Sequence, residues 1–462
     1  MRIRTLSVSN TDSERELKIQ FGRGSEHGGN FFSILVGENG TRKSQSLRAI
    51  VDLGYSSITR VRQSGLSVVG RLGQLTYWSN RNSEQKVLPS KIIAVSGVAT
   101  DRFPSRITGR IRKRGVNDTY RYIGPRTENN LVSRAQSLIE IVRTLLTHHD
   151  RVPSRHEQLK AAFELIPISK GCLFEFERIN SDWKKRWDVD SLLEILQRTE
   201  PQKAEKFKTA DSWLREQCLT MLNGKNPIVL ALNLDNIESQ GISHSAAPET
   251  LAFALECGAI SLSDPYSLTE SGKRLALSEF SSGQWQLLSS LLFVALAAEN
   301  DTLILIDEPE NSLHPQWQRE YLVLLERAIS SCSGVHVIVA THSPLVASSL
   351  PPGRAEVLRL SRGRTGNVNA KEMKAGAFGW TADDILETVF GLPSTRSQLF
   401  ANEMARALHL FAKGNRKNAE LISRVRELAE FAKLLPEGDA ARSVIATLKS
   451  VVLVDDKTPP NA

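Results

Sequence analysis

Residues 31–52 read Phe31-Phe-Ser-Ile-Leu-Val-Gly37-Glu-Asn-Gly40-Thr-Arg-Lys43-Ser44-Gln-Ser-Leu-Arg-Ala-Ile-Val-Asp52, and this stretch decides the fold. A short apolar run is followed by a glycine-rich turn, and then by leucine and isoleucine at helical spacing. This order is typical of a buried strand, a loop and a helix packed on a sheet. The sequence therefore predicts an α/β fold that begins with a strand–loop–helix unit.

The turn in that unit has the composition of a phosphate-binding loop. Gly37 to Ser44 nearly match the pattern GxxxxGK[ST], in which backbone N–H groups surround phosphate, the lysine reaches the β- and γ-phosphates and the hydroxyl ligates Mg²⁺. We therefore predict ATP and Mg²⁺ as cofactors. The candidate nucleotide-binding residues of this loop are Gly37, Asn39, Gly40, Thr41, Arg42, Lys43, Ser44 and Gln45.

Arg42 is a departure from the pattern. A glycine normally precedes the lysine, which lets the backbone approach phosphate closely. A long cation at this position either restricts the loop or contacts phosphate itself, and the sequence leaves both alternatives open. The departure favours slow hydrolysis or nucleotide sensing.

Two later strands end in residues that complete such a site. Leu303 to Pro309 is an apolar run that ends in Asp307 and Glu308, which suits an aspartate facing hydrated Mg²⁺ and a glutamate facing an attacking water. His342 follows a second apolar run, at the carboxyl edge of a parallel sheet. We predict Ser44 and Asp307 as metal ligands, and Glu308 and His342 as catalytic residues.

Three more motifs carry a resemblance to a known family. Ser281-Ser282-Gly283-Gln284 at a helix start resembles an ABC signature loop, Glu310 to Pro315 resembles a D-loop, and Thr341-His342-Ser343 resembles a switch histidine. The order of these motifs resembles ABC-type ATPases of the structural-maintenance, RecF and OLD-like branch. Ser281, Ser282, Gly283 and Gln284 are therefore further candidate nucleotide contacts.

Longer passages resemble the ATPase subunits of bacterial anti-phage systems such as Septu and PARIS. They are Ile93 to Pro104, Tyr122 to Pro125, Leu277 to Gln284 and Asp307 to Pro315. The resemblance implies a head-to-tail ATP sandwich in which Ser282 and Gly283 of one subunit face phosphates held by Lys43 of another. It also implies a separately encoded effector nuclease, of the HNH or toprim-like kind, as a partner. A Q-loop glutamine is not assigned.

The pattern along the chain predicts an ABC-type head with a mixed sheet, an inserted helical lobe and a C-terminal helical domain. Strand-like runs after the insertion, at 228–233 and 259–262, are expected to rejoin the sheet. Four helices are expected in the tail, at 382–390, 397–412, 418–434 and 439–453. The predicted divisions are a first ATPase lobe (1–127), a helical insertion (128–280), a second ATPase lobe (281–370) and a tail for partner binding or oligomerisation (371–462).

Bulk properties limit the classes of protein to consider. A formal charge of +8 and a pI near 9.3 favour an anionic partner, and the densest basic run extends from Arg102 through Arg114 to Arg121 and Arg126. No apolar run is long enough to span a bilayer, so we expect a cytoplasmic protein without a membrane partner. The four scattered cysteines are expected to be buried rather than metal-bound.

An alternative function is a DNA-binding ATPase of repair or recombination, for which the basic run, as a nucleic-acid contact, is the argument. A self-contained nuclease is disfavoured because it needs clustered carboxylates after the ATPase, where only Asp455 and Asp456 stand. A transport ATPase is disfavoured by the large insertion and the helical tail.

Overall fold

The computed structural model describes most of the chain. The described residues are 2–9, 16–22, 29–59, 67–70, 73–77, 88–104, 119–126, 134–166, 170–179, 186–199, 201–234, 242–269, 273–364, 366–373, 377–392 and 394–453.

The strands within these ranges are β1 (Ile3–Ser9), β2 (Glu16–Gln20), β3 (Phe31–Gly37), β4 (Ser67–Gly70), β5 (Gly73–Tyr77), β6 (Ile92–Ser96), β7 (Tyr120–Ile123), β8 (Gly171–Arg178), β9 (Ile228–Asn233), β10 (Ile242–His244), β11 (Ile260–Leu262), β12 (Tyr266–Leu268), β13 (Arg274–Ala276), β14 (Leu303–Asp307), β15 (His336–Ala340), β16 (Ala355–Arg362) and β17 (Val368–Glu372). The helices are α1 (Lys43–Thr59), α2 (Arg134–Thr147), α3 (His156–Ala161), α4 (Val189–Thr199), α5 (Pro201–Thr209), α6 (Ser212–Asn223), α7 (Pro248–Cys257), α8 (Ser282–Ala297), α9 (Pro315–Ala328), α10 (Pro344–Ala347), α11 (Ala382–Thr388), α12 (Gln398–Ala412), α13 (Ala419–Ala432) and α14 (Ala440–Val452).

A large mixed sheet forms the centre of the first unit. Among the described residues its parallel part runs in the order β16-β3-β15-β14-β6-β7. Every residue of β3, β6, β14 and β15 is buried, as expected of strands covered on both faces. The strand order places the phosphate loop after β3 and the paired carboxylates after β14, with β15 between them.

The two faces of this sheet are covered by different helices. Leu35, Ile92 and Leu305 join one core cluster with Leu47 and Ile50 of α1, so α1 covers their face. Alternate side chains in a strand point to the opposite face. Helix α8 contacts β6 and β7 and is buried around almost its whole circumference, which explains its nearly continuous apolar sequence.

Antiparallel strands extend the sheet beyond β16. At the start of the chain, β1 and β2 pair antiparallel as a hairpin. Strand β5 pairs with β1, and β4 pairs with β5. Strand β17 pairs antiparallel with β16 and parallel with β2, and thereby joins this extension to the parallel core.

The inserted block differs from the sequence prediction in one respect. Its helices are present, but strands β8 to β13 form a second, antiparallel sheet in order β10-β9-β8-β12-β13, with β11 on β8. The strands at 228–233 and 260–262 were expected in the main sheet, and that expectation was wrong. They pair with β8, a partner within the insertion that no local pattern reveals.

The tail begins later than the sequence indicated. The chain divides into compact units at Met1–Trp380 and Thr381–Ala462, because β17 crosses position 370 and remains paired in the sheet. The four predicted tail helices are confirmed as α11 to α14. Helices α12 to α14 enclose their own small core, which contains Ala407, Leu421, Val425, Leu428, Ile445, Leu448 and Val452.

No helix of the described residues is both long enough and apolar enough to cross a membrane. All four cysteines are free thiols in buried positions, so the expectation that they are buried is confirmed.

Candidate functional site

The predicted site residues meet at one edge of the parallel sheet. Strands β3, β14 and β15 all end there, at Gly37, Asp307 and Ala340. The carboxyl ends of parallel strands form the usual ligand edge of open α/β sheets. The phosphate loop, the carboxylates and the histidine are therefore brought together as the sequence predicts.

Two glycines shape the phosphate loop. Gly37 (φ 152°) and Gly40 (φ 78°) have backbone angles that favour glycine. A Cβ on Gly37 would lie 2.4 Å from the carbonyl oxygen of Leu360 in β16. The Arg362 guanidinium, from the same strand, donates to the Gly40 carbonyl at 3.0 Å. Strand β16 thus holds the loop from outside.

Asn39, Thr41 and Gln45 occupy different environments in this loop. Asn39 is exposed, Gln45 is partly buried, and Thr41 is buried. The Thr41 hydroxyl donates to the Glu38 carbonyl at 2.7 Å, which closes the turn before Lys43. Asn39 is thus the more accessible of these three candidate contacts.

Arg42 adopts the left-handed conformation that its position requires. Its φ is 65°, so the loop keeps the backbone shape that a glycine would have given it. One guanidinium nitrogen, Nη1, is out of contact with solvent and has no hydrogen-bond partner among the described residues. A buried unpaired donor is costly, and a phosphate oxygen is the kind of acceptor that would satisfy it.

Lys43 is buried among carbonyl groups and acids. Its Nζ donates to the Gly37 carbonyl at 2.8 Å and to the Glu38 carbonyl at 3.3 Å. Burial lowers the pKa of Lys43 to about 8, while the nearby charges of Glu308, Glu310 and Asp307 act to raise it. Lys43 therefore keeps a positive charge near neutral pH in a partly desolvated loop, where it interacts strongly with anions.

Ser44 and Asp307, the predicted metal ligands, lie side by side. The Ser44 hydroxyl donates to Asp307 Oδ1 at 2.9 Å. Burial raises the pKa of Asp307 to about 7, and the hydrogen bond from Ser44 opposes this. A hydroxyl oxygen and a carboxylate oxygen at hydrogen-bond distance from each other are hard donors that fit Mg²⁺. When bound there, Mg²⁺ would neutralise phosphate charge.

Glu308 and His342 face each other beside this pair. Glu308 Oε1 lies 3.8 Å from His342 Nε2, and each side chain is about one-third exposed. Glu308 has a φ of 47°, a conformation that is uncommon outside glycine and often found at functional sites. Burial and the Lys43 charge lower the pKa of His342, which favours a neutral imidazole.

The signature residues lie against the D-loop. A Cβ on Gly283 would come within 2.4 Å of the Ser312 carbonyl. Ser282 is exposed and lines a cavity of about 290 Å³ together with Ser312. Ser281 and Gln284 form a capping box at the start of α8, so their side chains are already hydrogen-bonded to the helix end.

Sequence reasoning missed several residues next to the site. The Gln286 amide donates to the Ser96 carbonyl at the end of β6, whereas the sequence assigned no Q-loop glutamine. Asn311 donates to the Gly97 carbonyl at 2.7 Å. Glu310 lies within the acidic motif Asp307 to Glu310, and the density of carboxylates there was the sequence signal that pointed to Glu310 as a further functional residue.

Part of the basic run is engaged inside the protein. Arg121 pairs with Glu140 at 3.5 Å, and Arg126 forms an ion pair with the buried side chain of Asp101. Arg102 is exposed. The remaining members, Arg106, Arg110, Arg112, Lys113 and Arg114, lie outside the described residues. The paired arginines weaken the case for a phosphate-backbone contact at their positions.

Comparisons with known proteins agree with this arrangement. Residues 262–348 match the family model described as "AAA domain, putative AbiEii toxin, Type IV TA system". The Septu protein PtuA of Bacillus thuringiensis is 34% identical over 101 residues, which are 21% of this chain. The match spans 24% of that relative, about a quarter of its length.

Solved structures that match this chain include two SMC head domains. The head from Pyrococcus furiosus, bound to the C-terminal domain of ScpA, is 13% identical, with 80% of this chain and 96% of that chain covered and a TM-score of 0.32. The head from Thermotoga maritima is 11% identical, with 81% and 99% covered and a TM-score of 0.33. The recognition of an ABC-type ATPase from the sequence is confirmed by the family match, with the AAA domain at residues 262–348.

Proposed function

We propose that this protein is an ATP-responsive scaffold of anti-phage defence, in which nucleotide joins copies of the chain and so controls a separately encoded nuclease. ATP hydrolysis in this proposal is slow and regulatory. Anti-phage defence is inferred from the likeness to Septu protein PtuA, and the nuclease partner, HNH or toprim-like, is the one that the resemblance implies.

The observation that carries the proposal is the hydrogen bond between Ser44 and Asp307. These residues are 263 positions apart, and they meet only because β3 and β14 end at the same sheet edge. Lys43 is buried next to them, and Glu308 with His342 lies on the same edge. This set of groups supports binding of a nucleoside triphosphate with Mg²⁺, and Glu308 supports activation of water.

The signature turn supports the assembly part of the proposal. Gly283 of this turn lies against the Ser312 carbonyl of the D-loop and the Trp317 ring of α9, and Ser282 is exposed at the start of α8. A helix start with free N–H groups binds anions. In the proposed sandwich, Ser282 and Gly283 of one copy complete the phosphate site that Lys43 of another copy begins.

Arg42 supports nucleotide sensing over rapid turnover. Its unpaired Nη1 is a donor that phosphate would satisfy in the bound state. A cation in the loop of the same subunit then contributes to nucleotide affinity whether or not hydrolysis follows. This feature favours a site in which the binding of ATP, rather than its hydrolysis, is the signal.

Lys43→Ala tests the site directly. We expect the variant to lose ATP binding by at least tenfold, because a charge-assisted contact to phosphate in a desolvated loop contributes more than about 1.4 kcal/mol. Isothermal titration with Mg-ATP measures this loss. The matched control is Lys371→Ala, an exposed lysine of β17, which should bind as the parent does. Unchanged affinity in Lys43→Ala would refute the site assignment.

The DNA-binding alternative makes a different prediction. If the chain clamps DNA, the isolated protein binds duplex DNA with an affinity that falls steeply with salt concentration. The scaffold proposal expects weak DNA binding of the isolated protein and ATP-dependent assembly. Titration of labelled duplex DNA at two salt concentrations separates the two functions.

A further inference from the structure

Glu310 is a carboxylate of the site edge to which no role has been given. It follows the Asp307-Glu308-Pro309 motif and precedes the D-loop residues Asn311 and Ser312. The Leu313 N–H donates to the Glu310 carbonyl at 3.0 Å, which closes a tight turn around it. The main chain of Glu310 is therefore fixed, and its side chain points away from the turn.

That side chain reaches the segment that follows β15. Glu310 Oε1 accepts the backbone N–H of His342 at 2.5 Å, a distance shorter than the usual range of charge-assisted N–H···O bonds. The turn after β14 and the segment after β15 are thus joined by a side chain rather than by strand pairing.

The neighbouring N–H groups show why this bond matters. Three consecutive residues, 341 to 343, have hydrogen-bonded N–H groups. The Thr341 N–H donates to the Leu35 carbonyl in β3 at 3.1 Å, and the Ser343 N–H donates to the Thr341 hydroxyl at 2.9 Å. In this series, the N–H of His342 is the one that donates to a side chain of the turn after β14.

The other oxygen of Glu310 argues against a purely stabilising role. Oε2 is out of contact with solvent and makes no hydrogen bond of good geometry among the described residues; burial raises the pKa of Glu310, while the His342 N–H and the Thr341 hydroxyl act to lower it. A buried carboxylate oxygen without a partner costs stability. An apolar side chain of similar volume would avoid that cost but would leave the His342 N–H without its acceptor, so the hydrogen bond made by Oε1 is what explains a glutamate here.

We propose that Glu310 is a positioning residue, which holds the main chain of His342 and thereby sets the imidazole at its 3.8 Å distance from Glu308. This inference rests on the proposed function, in which Glu308 and His342 act together at the nucleotide. Glu310 itself touches neither nucleotide nor water in this role. Through one hydrogen bond, it fixes the His342 imidazole relative to the Glu308 carboxylate.

The hydrogen bond is tested without nucleotide, by NMR on protein labelled with ¹⁵N-histidine. The His342 amide is the resonance that disappears in His342→Gln. We expect its proton to move upfield in Glu310→Leu, which removes the acceptor, and to stay close to the parent position in Glu310→Gln, which keeps an oxygen. An unmoved resonance in Glu310→Leu would overturn the inference. Glu320→Leu, on α9, is the control and should leave the resonance unchanged.

The consequence for His342 is tested by a double-mutant cycle in single-turnover ATP hydrolysis. Glu310→Leu should lower the rate roughly ten- to a hundredfold, as misplacement of a catalytic group does, with ATP affinity within about twofold of the parent. In a His342→Ala background the same substitution should have no further effect, and Glu310→Gln should restore most of the rate. An equal loss in both backgrounds would show that Glu310 acts independently of His342, which contradicts the proposal.

Failure of the proposed function gives a different result. If the parent binds no ATP, the proposed function is wrong, yet the amide resonance still decides whether Glu310 holds His342. If ATP binds and the cycle is additive, the proposed function stands and the positioning role of Glu310 is wrong.

Discussion

At the scale of single residues, Arg42 combines an uncommon backbone conformation with a position that usually holds glycine. A left-handed conformation costs a non-glycine residue roughly 1–2 kcal/mol, and glycine loses about 0.5–1 kcal/mol in chain entropy. We therefore expect Arg42→Gly to raise the free energy of unfolding by about 1 kcal/mol or less, as measured by urea denaturation.

Arg42→Ala is the matched control for that prediction, because it removes the guanidinium but keeps the Cβ. It should gain none of the backbone relief. An equal gain in both variants would place the cost in the unpaired guanidinium rather than in the backbone, and no gain in Arg42→Gly would contradict the strain argument.

His336 lies in a buried network at the opposite edge of the sheet. The Ile3 N–H donates to its Nδ1 at 3.2 Å, so its Nε2 carries the proton and donates to the Ser33 hydroxyl at 2.9 Å. Ser33 donates in turn to Glu356 at 2.5 Å. Burial lowers the pKa of His336 to about 3 and raises the pKa of Glu356 to about 7.

These two shifts have opposite signs in the pH dependence of stability. Between pH 6.5 and 3 the unfolded chain binds a proton at His336 that the folded chain refuses, so His336 lowers stability as pH falls. Glu356 stays protonated up to about pH 7 in the folded state only, so its contribution rises as pH falls from 7 towards 4.5. The two contributions partly cancel in the parent.

His336→Leu separates them. Between pH 8 and pH 5, the change in its free energy of unfolding should be more favourable than the change in the parent by about 2 kcal/mol. The reason is that the unfavourable contribution of the imidazole is gone and the favourable contribution of Glu356 remains. Urea denaturation at the two pH values measures the difference. His409→Gln, an exposed histidine of α12, is the control. The same pH dependence in His336→Leu and the parent would show that His336 is not held neutral.

At the scale of elements, the start of α8 and the D-loop are in backbone contact. Because a Cβ on Gly283 would lie 2.4 Å from the Ser312 carbonyl and 3.3 Å from the Trp317 ring, Gly283→Ala should displace one segment or the other. We expect a loss of about 1–3 kcal/mol in unfolding free energy, the usual cost of overpacking.

The control for that substitution is Gly29→Ala, where no atom lies within 4 Å of the added Cβ. Thermal denaturation of both variants compares them. If Gly283→Ala proves as stable as Gly29→Ala, the packing of the signature turn on the D-loop is not as described.

Elements were predictable from the sequence where local signals mark them. The tail helices begin at side chains that cap them, Thr381, Ser397, Asn418 and Asp439, and such caps are visible in sequence. The second sheet was not predictable, because strands such as β10 and β11 have three residues and no periodicity. Strand β11 pairs with β8, which is distant in sequence, and β10 pairs with β9, which itself pairs with β8.

The same contrast applies within the candidate site. Lys43, Ser44, Asp307 and His342 lie at or after the ends of apolar strands, so their place at this edge of the sheet was predictable from position, and their roles stay predictions. Glu310 and Gln286 act through backbone groups of distant segments, and such contacts follow from the fold and not from spacing.

At the scale of the whole molecule, the 462-residue chain divides into a unit that ends at Trp380 and a helical unit that begins at Thr381. In the proposed function, the first unit holds one half of a nucleotide site at the sheet edge, and the exposed turn at the start of α8 supplies the other half to a second copy. A head-to-tail pair of copies would join these halves twice, once at each nucleotide.

The most direct test of this claim is the mass of Glu308→Gln protein by sedimentation velocity, with and without Mg-ATP. The substitution removes the proposed base and keeps the binding groups, so bound ATP should persist and hold the copies together. We predict that Mg-ATP at least doubles the mass, and that the same protein carrying Lys43→Ala shows no increase. Full ATP occupancy with an unchanged mass would contradict the account.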